Sequence, residues 1–110
     1  MSNQVAQIIH SQISRQVLMA IGAKNYVAGS NSLHFDVSLF GAKKAKIRVE
    51  LNAADMYDVS LWNGRTIAKK AQMKDVFCED LTNIVEGLAE ANFRGPVAIK
   101  SLKAIGFETF

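Results

Sequence analysis

At 110 residues, 49% of them hydrophobic and 21% charged, the chain is sized for one globular domain burying roughly two-thirds of the surface it exposes when unfolded. Its longest apolar run, residues 17–21, is about a quarter of a bilayer span, which excludes a transmembrane helix; Met1-Ser2-Asn3-Gln4 has neither the basic stretch nor the cleavage site of a signal peptide. A net charge of +3 supports only weak non-specific attraction to nucleic acid, and a lone Cys78 that cannot close an internal disulfide fits a reducing cytoplasm.

Residues 3–21 read as one amphipathic helix. Val5, Ile8, Ile9, Ile13, Val17, Ala20 and Ile21 recur at three- and four-residue steps, opposite Gln4, Gln7, Ser11, Ser14 and Arg15. Ser2 or Asn3 can cap its start, and Gly22 can take the left-handed position after its end. Leu18 falls on the polar side, either packing on the following loop or lying exposed.

From residue 24 the period becomes two. Residues 25–28 form a short strand, and Gly29-Ser30-Asn31-Ser32 a turn. Leu33, Phe35, Val37 and Leu39 alternate with His34, Asp36 and Ser38, as a half-buried strand requires, and Phe40-Gly41 closes it. Ala45, Ile47, Val49 and Leu51 alternate with Lys44, Lys46, Arg48 and Glu50 in the next strand. After a turn at 52–55, Tyr57, Val59 and Leu61 alternate with Met56, Asp58, Ser60 and Trp62.

Asn63-Gly64 predicts a two-residue type I′ hairpin, whose central residues both need positive φ. That loop pairs Trp62 with Arg65, Ser60 with Ile67 and Asp58 with Lys69, the last an opposite-charge pair. The strand at 65–73, rich in Ala and Lys, reads as an edge. A second helix follows over 76–91, with Phe77, Leu81, Ile84, Val85 and Leu88 as its stripe and Asp75 as its cap. Arg94-Gly95-Pro96 breaks the chain. Residues 97–105 read either as a short third helix carrying Val97, Leu102 and Ile105 or as an extended segment, and Phe107 and Phe110 dock on the core. The expected architecture is a single α+β domain over 1–110: an N-terminal helix, an antiparallel meander of four or five strands and a C-terminal helix, with the helices on one face of the sheet.

Candidate chemistry is sparse. His10 and His34 lie in different elements and no metal-ligand spacing occurs, so neither a metal nor a cofactor is expected. Cys78 reads as an inert thiol beside the second helix's stripe. His34 and Asp36 share a strand face and can orient an imidazole, but Ser38 on that face lacks the strained elbow of an activated nucleophile. Asp55 and Asp58 resemble a carboxylate pair, yet one ends a turn and the other faces Lys69. No phosphate-binding glycine loop is present, and no enzyme is expected.

Charge is segregated instead. Residues 43–74 hold eight basic against three acidic side chains, whereas 75–90 hold five acidic and no basic ones. The solvent face of the sheet is therefore the candidate interaction site, carried by Lys44, Lys46, Arg48, Trp62, Arg65 and Lys69, with Glu50 and Asp58 beside them. Lysines on a solvated strand also serve simply to discourage edge pairing, and Trp62 can simply cover Arg65 by a cation–π contact. An exposed Trp among cations is otherwise a natural interface anchor and can stack a base.

The stretch Ile21-Gly22-Ala23-Lys24-Asn25-Tyr26-Val27-Ala28-Gly29 with Ser32-Leu33-His34-Phe35, then Ile47-Arg48-Val49-Glu50-Leu51-Asn52 and Asp55-Met56-Tyr57-Asp58-Val59, resembles a pattern of small accessory proteins from bacteriophages and mobile elements. The resemblance covers roughly residues 18–90 and transfers no residue role. It implies a bacterial cytoplasmic setting and, by analogy of genre, a protein that binds and inhibits a bacterial protein or nucleoprotein target, as anti-CRISPR and anti-restriction proteins do. The alternative expectation is a nucleic-acid-binding module using the basic sheet face. No membrane partner is expected, and a homodimer through an open sheet edge at 65–73 or 25–28 is possible.

Overall fold

The computed structural model describes residues 4–38, 44–64 and 68–110. It is α+β, with helices α1 (Gln4–Gln12) and α2 (Arg15–Ala20), strands β1 (Lys24–Ala28), β2 (Ser32–Val37), β3 (Ala45–Leu51), β4 (Tyr57–Asn63) and β5 (Lys69–Val76), helices α3 (Leu81–Arg94) and α4 (Pro96–Ser101), and strand β6 (Glu108–Thr109). The six strands form one antiparallel sheet in sequence order, β1 to β6. Helices α1 and α3 lie on the same face, α1 against β2 and α3 against β3 and β4. Between these layers Phe35, Ile47, Val49, Val59 and Leu61 meet Ile9, Leu81, Val85 and Leu88, all fully buried.

The N-terminal helix is two helices. A single straight helix over 3–21 would carry Leu18 on its polar side; the break at Ile13–Ser14 turns α2 so that Leu18 and Ile21 enter the core. Ser14 caps α2, its hydroxyl accepting from the Val17 N–H at 3.4 Å. Thr82, on α3, holds both sides of the break: its Oγ1 accepts the Ser14 N–H at 3.0 Å and donates to the Gln12 carbonyl at 3.4 Å. Ile8, assigned to the apolar stripe by periodicity, is half exposed. Gly22 takes the expected left-handed φ of +67°, and a Cβ there would sit 3.0 Å from the Ser38 carbonyl oxygen. The expected caps Ser2 and Asn3, and the strand end Leu39-Phe40-Gly41, lie outside the described residues.

The turn at 52–55 forms as expected. The Asn52 carboxamide oxygen accepts the Ala54 and Met56 N–H groups at 2.8 and 3.1 Å, and Asp55 has φ +61°.

The Asn63-Gly64 hairpin does not form as expected. Neither residue has positive φ, and the connection closes from the Asn63 N–H to the Ala68 carbonyl at 2.9 Å. Gly64 is needed for a different reason: a Cβ there would collide with the backbone carbonyl of Lys44. The longer loop shifts the register, so that Trp62 pairs with Lys69, Leu61 with Ala71 and Ser60 with Gln72. Lys69 therefore does not face Asp58. Arg65 and Ile67 lie outside the described residues.

The stretch expected at an edge is instead interior. β5 pairs with β4 on one side and, through Ala71 and Gln72, with β6 on the other. At the opposite edge, Asn25 (φ +57°) creates a bulge between Lys24 and Val27 that interrupts β1. The second helix also starts later than periodicity implies. Asp75 sits at the end of β5 with φ +57° rather than capping, a 3-10 turn at Cys78–Asp80 precedes α3, and Phe77 is half exposed. Residues 96–105 are helical, α4 followed by a 3-10 turn at Leu102–Ile105. Ile99 and Leu102 supply the buried contacts, while Val97 and Ile105 face solvent. Of the two terminal aromatics only Phe107 docks in the core; Phe110 is 68% exposed.

Candidate interaction face

The sheet face away from the helices presents the side chains that alternation assigns to it, and the strand registers line them up in rows. One row runs Lys24, Asp36, Lys46, Trp62, Lys69 from β1 to β5. The next runs His34, Arg48, Ser60, Gln72, Glu108 from β2 to β6, and a third holds Ser32, Glu50 and Asp58. Side chains opposite one another in adjacent strands are close enough to interact directly, so each row behaves as a chain of neighbours.

Charge along these rows is mixed: Asp36 and Glu108 join the Glu50 and Asp58 that alternation already set beside the cations. Lys46 Nζ donates to Asp36 Oδ1 at 2.7 Å, and Asn25 Nδ2 donates to Asp36 Oδ2 at 2.9 Å. Burial raises the Asp36 pKa, but these two donors and the charges of Lys46 and Lys44 outweigh it and hold the carboxyl below its ordinary value. His34 is pushed below the ordinary imidazole range, first by burial and then by Lys46 and Arg48, with Asp36 opposing. Asp36 thus spends itself on Lys46 and Asn25 rather than orienting His34.

Glu50 and Asp58 are directly opposed like charges, each relieved by a neighbour. Arg48 approaches Glu50 at 3.9 Å, while Asp58 Oδ1 accepts the Asn52 amide at 3.0 Å and the Asp75 N–H at 3.2 Å.

Trp62 is the aromatic centre. Its Nε1–H donates to Ser60 Oγ at 2.7 Å, which fixes the indole over the sheet. The ammonium of Lys69 lies over the ring, 5.1 Å from its centroid, and 5.8 Å from the centroid of the Phe110 ring. Lys69 Nζ also donates to Gln72 Oε1 at 2.9 Å, and Gln72 Nε2 donates to Glu108 Oε1 at 2.8 Å. The structure therefore brings together Lys46, Arg48, Trp62 and Lys69. Lys44 is exposed just before β3, and Arg65 lies outside the described residues. Gln72, Lys74, Glu108 and Phe110 join the site unforeseen; Glu108 lies on a two-residue strand too short to show a period, and Phe110 follows it.

Beside Trp62 the face sinks into a depression of about 310 Å³, floored by the nearly buried Ser60 and rimmed by Arg48, Glu50, Asp58, Lys69 and Lys74. The other candidates stay apart. Cys78 is exposed on the 3-10 turn before α3, and His10 stacks edge-on against Tyr26 at 5.0 Å. Among the described residues no three His, Cys, Asp or Glu side chains converge, and no helix is long and apolar enough to cross a membrane. No family model, curated protein or solved structure matches the chain.

Proposed function

We propose that this chain is a binding protein, of the phage or mobile-element accessory kind its motifs resemble, that blocks a bacterial protein or nucleoprotein by occupying it with the open face of its sheet. The observation that carries the reading is the Trp62–Lys69–Phe110 group, an aromatic–cation anchor set in a polar mosaic on the sheet face away from α1 and α3. Tryptophan is among the residues most enriched in interface hot spots, at the centre of a polar rim. The mosaic also favours a protein surface over a phosphate backbone: Asp36, Glu50, Asp58 and Glu108 interleave with the cations, and a polyanion crossing the rows would meet them.

Affinity capture from bacterial lysate tests this with three versions of the protein. A partner recovered by the wild type should survive Glu86→Lys with Glu90→Lys on α3, and be lost with Trp62→Ala and Lys69→Glu. Retention by the open-face variant overturns the reading. Binding of single-stranded DNA that falls steeply with salt and with Arg48→Glu would instead favour the nucleic-acid module.

A further inference from the structure

Resting on that reading, we infer that the depression beside Trp62 is a socket for one carboxylate of the partner, an acidic side chain presented between basic ones. Three cations on its rim have donors to spare. Among the described residues, Arg48 makes one ion-pair contact, 3.9 Å to Glu50, with five N–H groups to offer; Lys69 makes one hydrogen bond, to Gln72; and Lys74 has no ion-pair partner. They belong to two strands, β3 and β5, on either side of Ser60, so their unused donors surround the depression rather than line up along one strand.

The acids decide what kind of anion fits. Asp58 has one carboxylate oxygen held by two N–H donors, and Glu50 stands opposite it, so negative charge borders the socket on the β3–β4 side. A single carboxylate reaching the three cations avoids that border, and cationic residues flanking it in the partner would pair with Glu50 and Asp58. A run of phosphates meets the same border with charge of the wrong sign. The indole of Trp62, fixed by its bond to Ser60, gives the approaching chain a flat apolar wall that needs no ordering on binding.

The test is a titration of ¹⁵N-labelled full-length protein, followed by the Trp62 indole N–H and the amides of Arg48, Ser60 and Gln72. The probes are a ten-residue peptide with one glutamate between two arginines, its twin with glutamine in that place, and a twelve-nucleotide oligothymidine. The glutamate peptide should shift those signals and bind about tenfold more tightly than its twin, and Arg48→Gln with Lys74→Gln, at unchanged spectral dispersion, should erase the preference. Equal binding of the two peptides, shifts confined to other surfaces, tighter binding of the oligonucleotide at these residues, or a preference surviving the double variant would each overturn the inference. If a captured partner is lost with Trp62→Ala while the peptides show no preference, only the carboxylate socket fails; if the partner is indifferent to the open face, the proposed function fails with it.

Discussion

The two faces of this sheet are built from the same strands by the same alternation, yet they hold together by different physics. On the helix side, Phe35, Ile47, Val49, Val59 and Leu61 are removed from water entirely. Each is held by non-directional burial and close packing, at about 25 cal/mol per Å² of apolar surface. On the open side, order comes from directed contacts between polar groups at or near the surface: Asp36 between Lys46 and Asn25, Asp58 between Asn52 and the Asp75 N–H, Trp62 tied to Ser60. Contacts of the second kind compete with water and contribute little individually. The first face secures the fold, which leaves the second free to be shaped for a partner.

The sharpest way to break that comparison is truncation on each side. Phe35→Ala removes a fully buried ring from the centre of β2 and should cost about 3–5 kcal/mol in denaturant unfolding. Arg48→Ala, on β3 and exposed, should change stability by about 0.5 kcal/mol or less. Comparable losses from the two variants would mean that the open face, too, is structural.

A middle-sized effect is expected where a polar group does work inside the packed layer. Thr82→Val keeps the volume but deprives the Ser14 N–H of its acceptor and the Gln12 carbonyl of its donor, at the break between α1 and α2. Leaving those partly buried backbone groups unpaired should cost about 1–2 kcal/mol, with the loss of hydrogen-exchange protection concentrated in α2. Uniform loss of protection would show that the break does not depend on Thr82.

These contrasts also explain what the sequence disclosed. Strict alternation in β2 and β3 identified the buried face residue by residue, because a half-buried strand has only two sides. The helical region was legible in content but not in geometry. Residues 3–21 carry a continuous helical period, and the groups left open at its break are satisfied by Thr82, some seventy residues away in sequence. Asn63-Gly64 was misleading for a related reason: glycine is required there by the approach of the Lys44 carbonyl, a tertiary demand that resembles a turn signal. Once that register moved, Lys69 exchanged Asp58 for Trp62. The anchor of the candidate site was therefore visible as residue types but not as a pairing, and its Phe110 ring arrives just after β6, whose two residues carry no periodicity.

Disrupting the Lys46–Asp36 ion pair should be milder still. The Lys46 side chain is 43% exposed but that of Asp36 only 15%, and Asp36 also accepts from Asn25, so Asp36→Asn should cost about 1 kcal/mol. It should also remove the negative charge that props up the His34 pKa, so His34 titrates lower in this variant than in the wild type.

The smallest effect is carried by pH. His34 has its pKa lowered by folding, so as pH falls through the ordinary imidazole value near 6.5 the unfolded chain takes up a proton before the folded one. Its contribution to stability is therefore present at neutral pH and declines in mild acid. Asp36 is lowered too, so its contribution is held down to the ordinary carboxylate range and is lost as pH drops from there through the folded value. Both losses have the same sign, and both depend on Lys46, whose charge lowers each group. Lys46→Gln should raise the pKa of His34 and of Asp36 together, measured by side-chain NMR titration, and should flatten the acid limb of the stability profile. An imidazole that titrates at or above its ordinary value, or that ignores Lys46→Gln, would mean that the rows across the open face are too loose to act on one another.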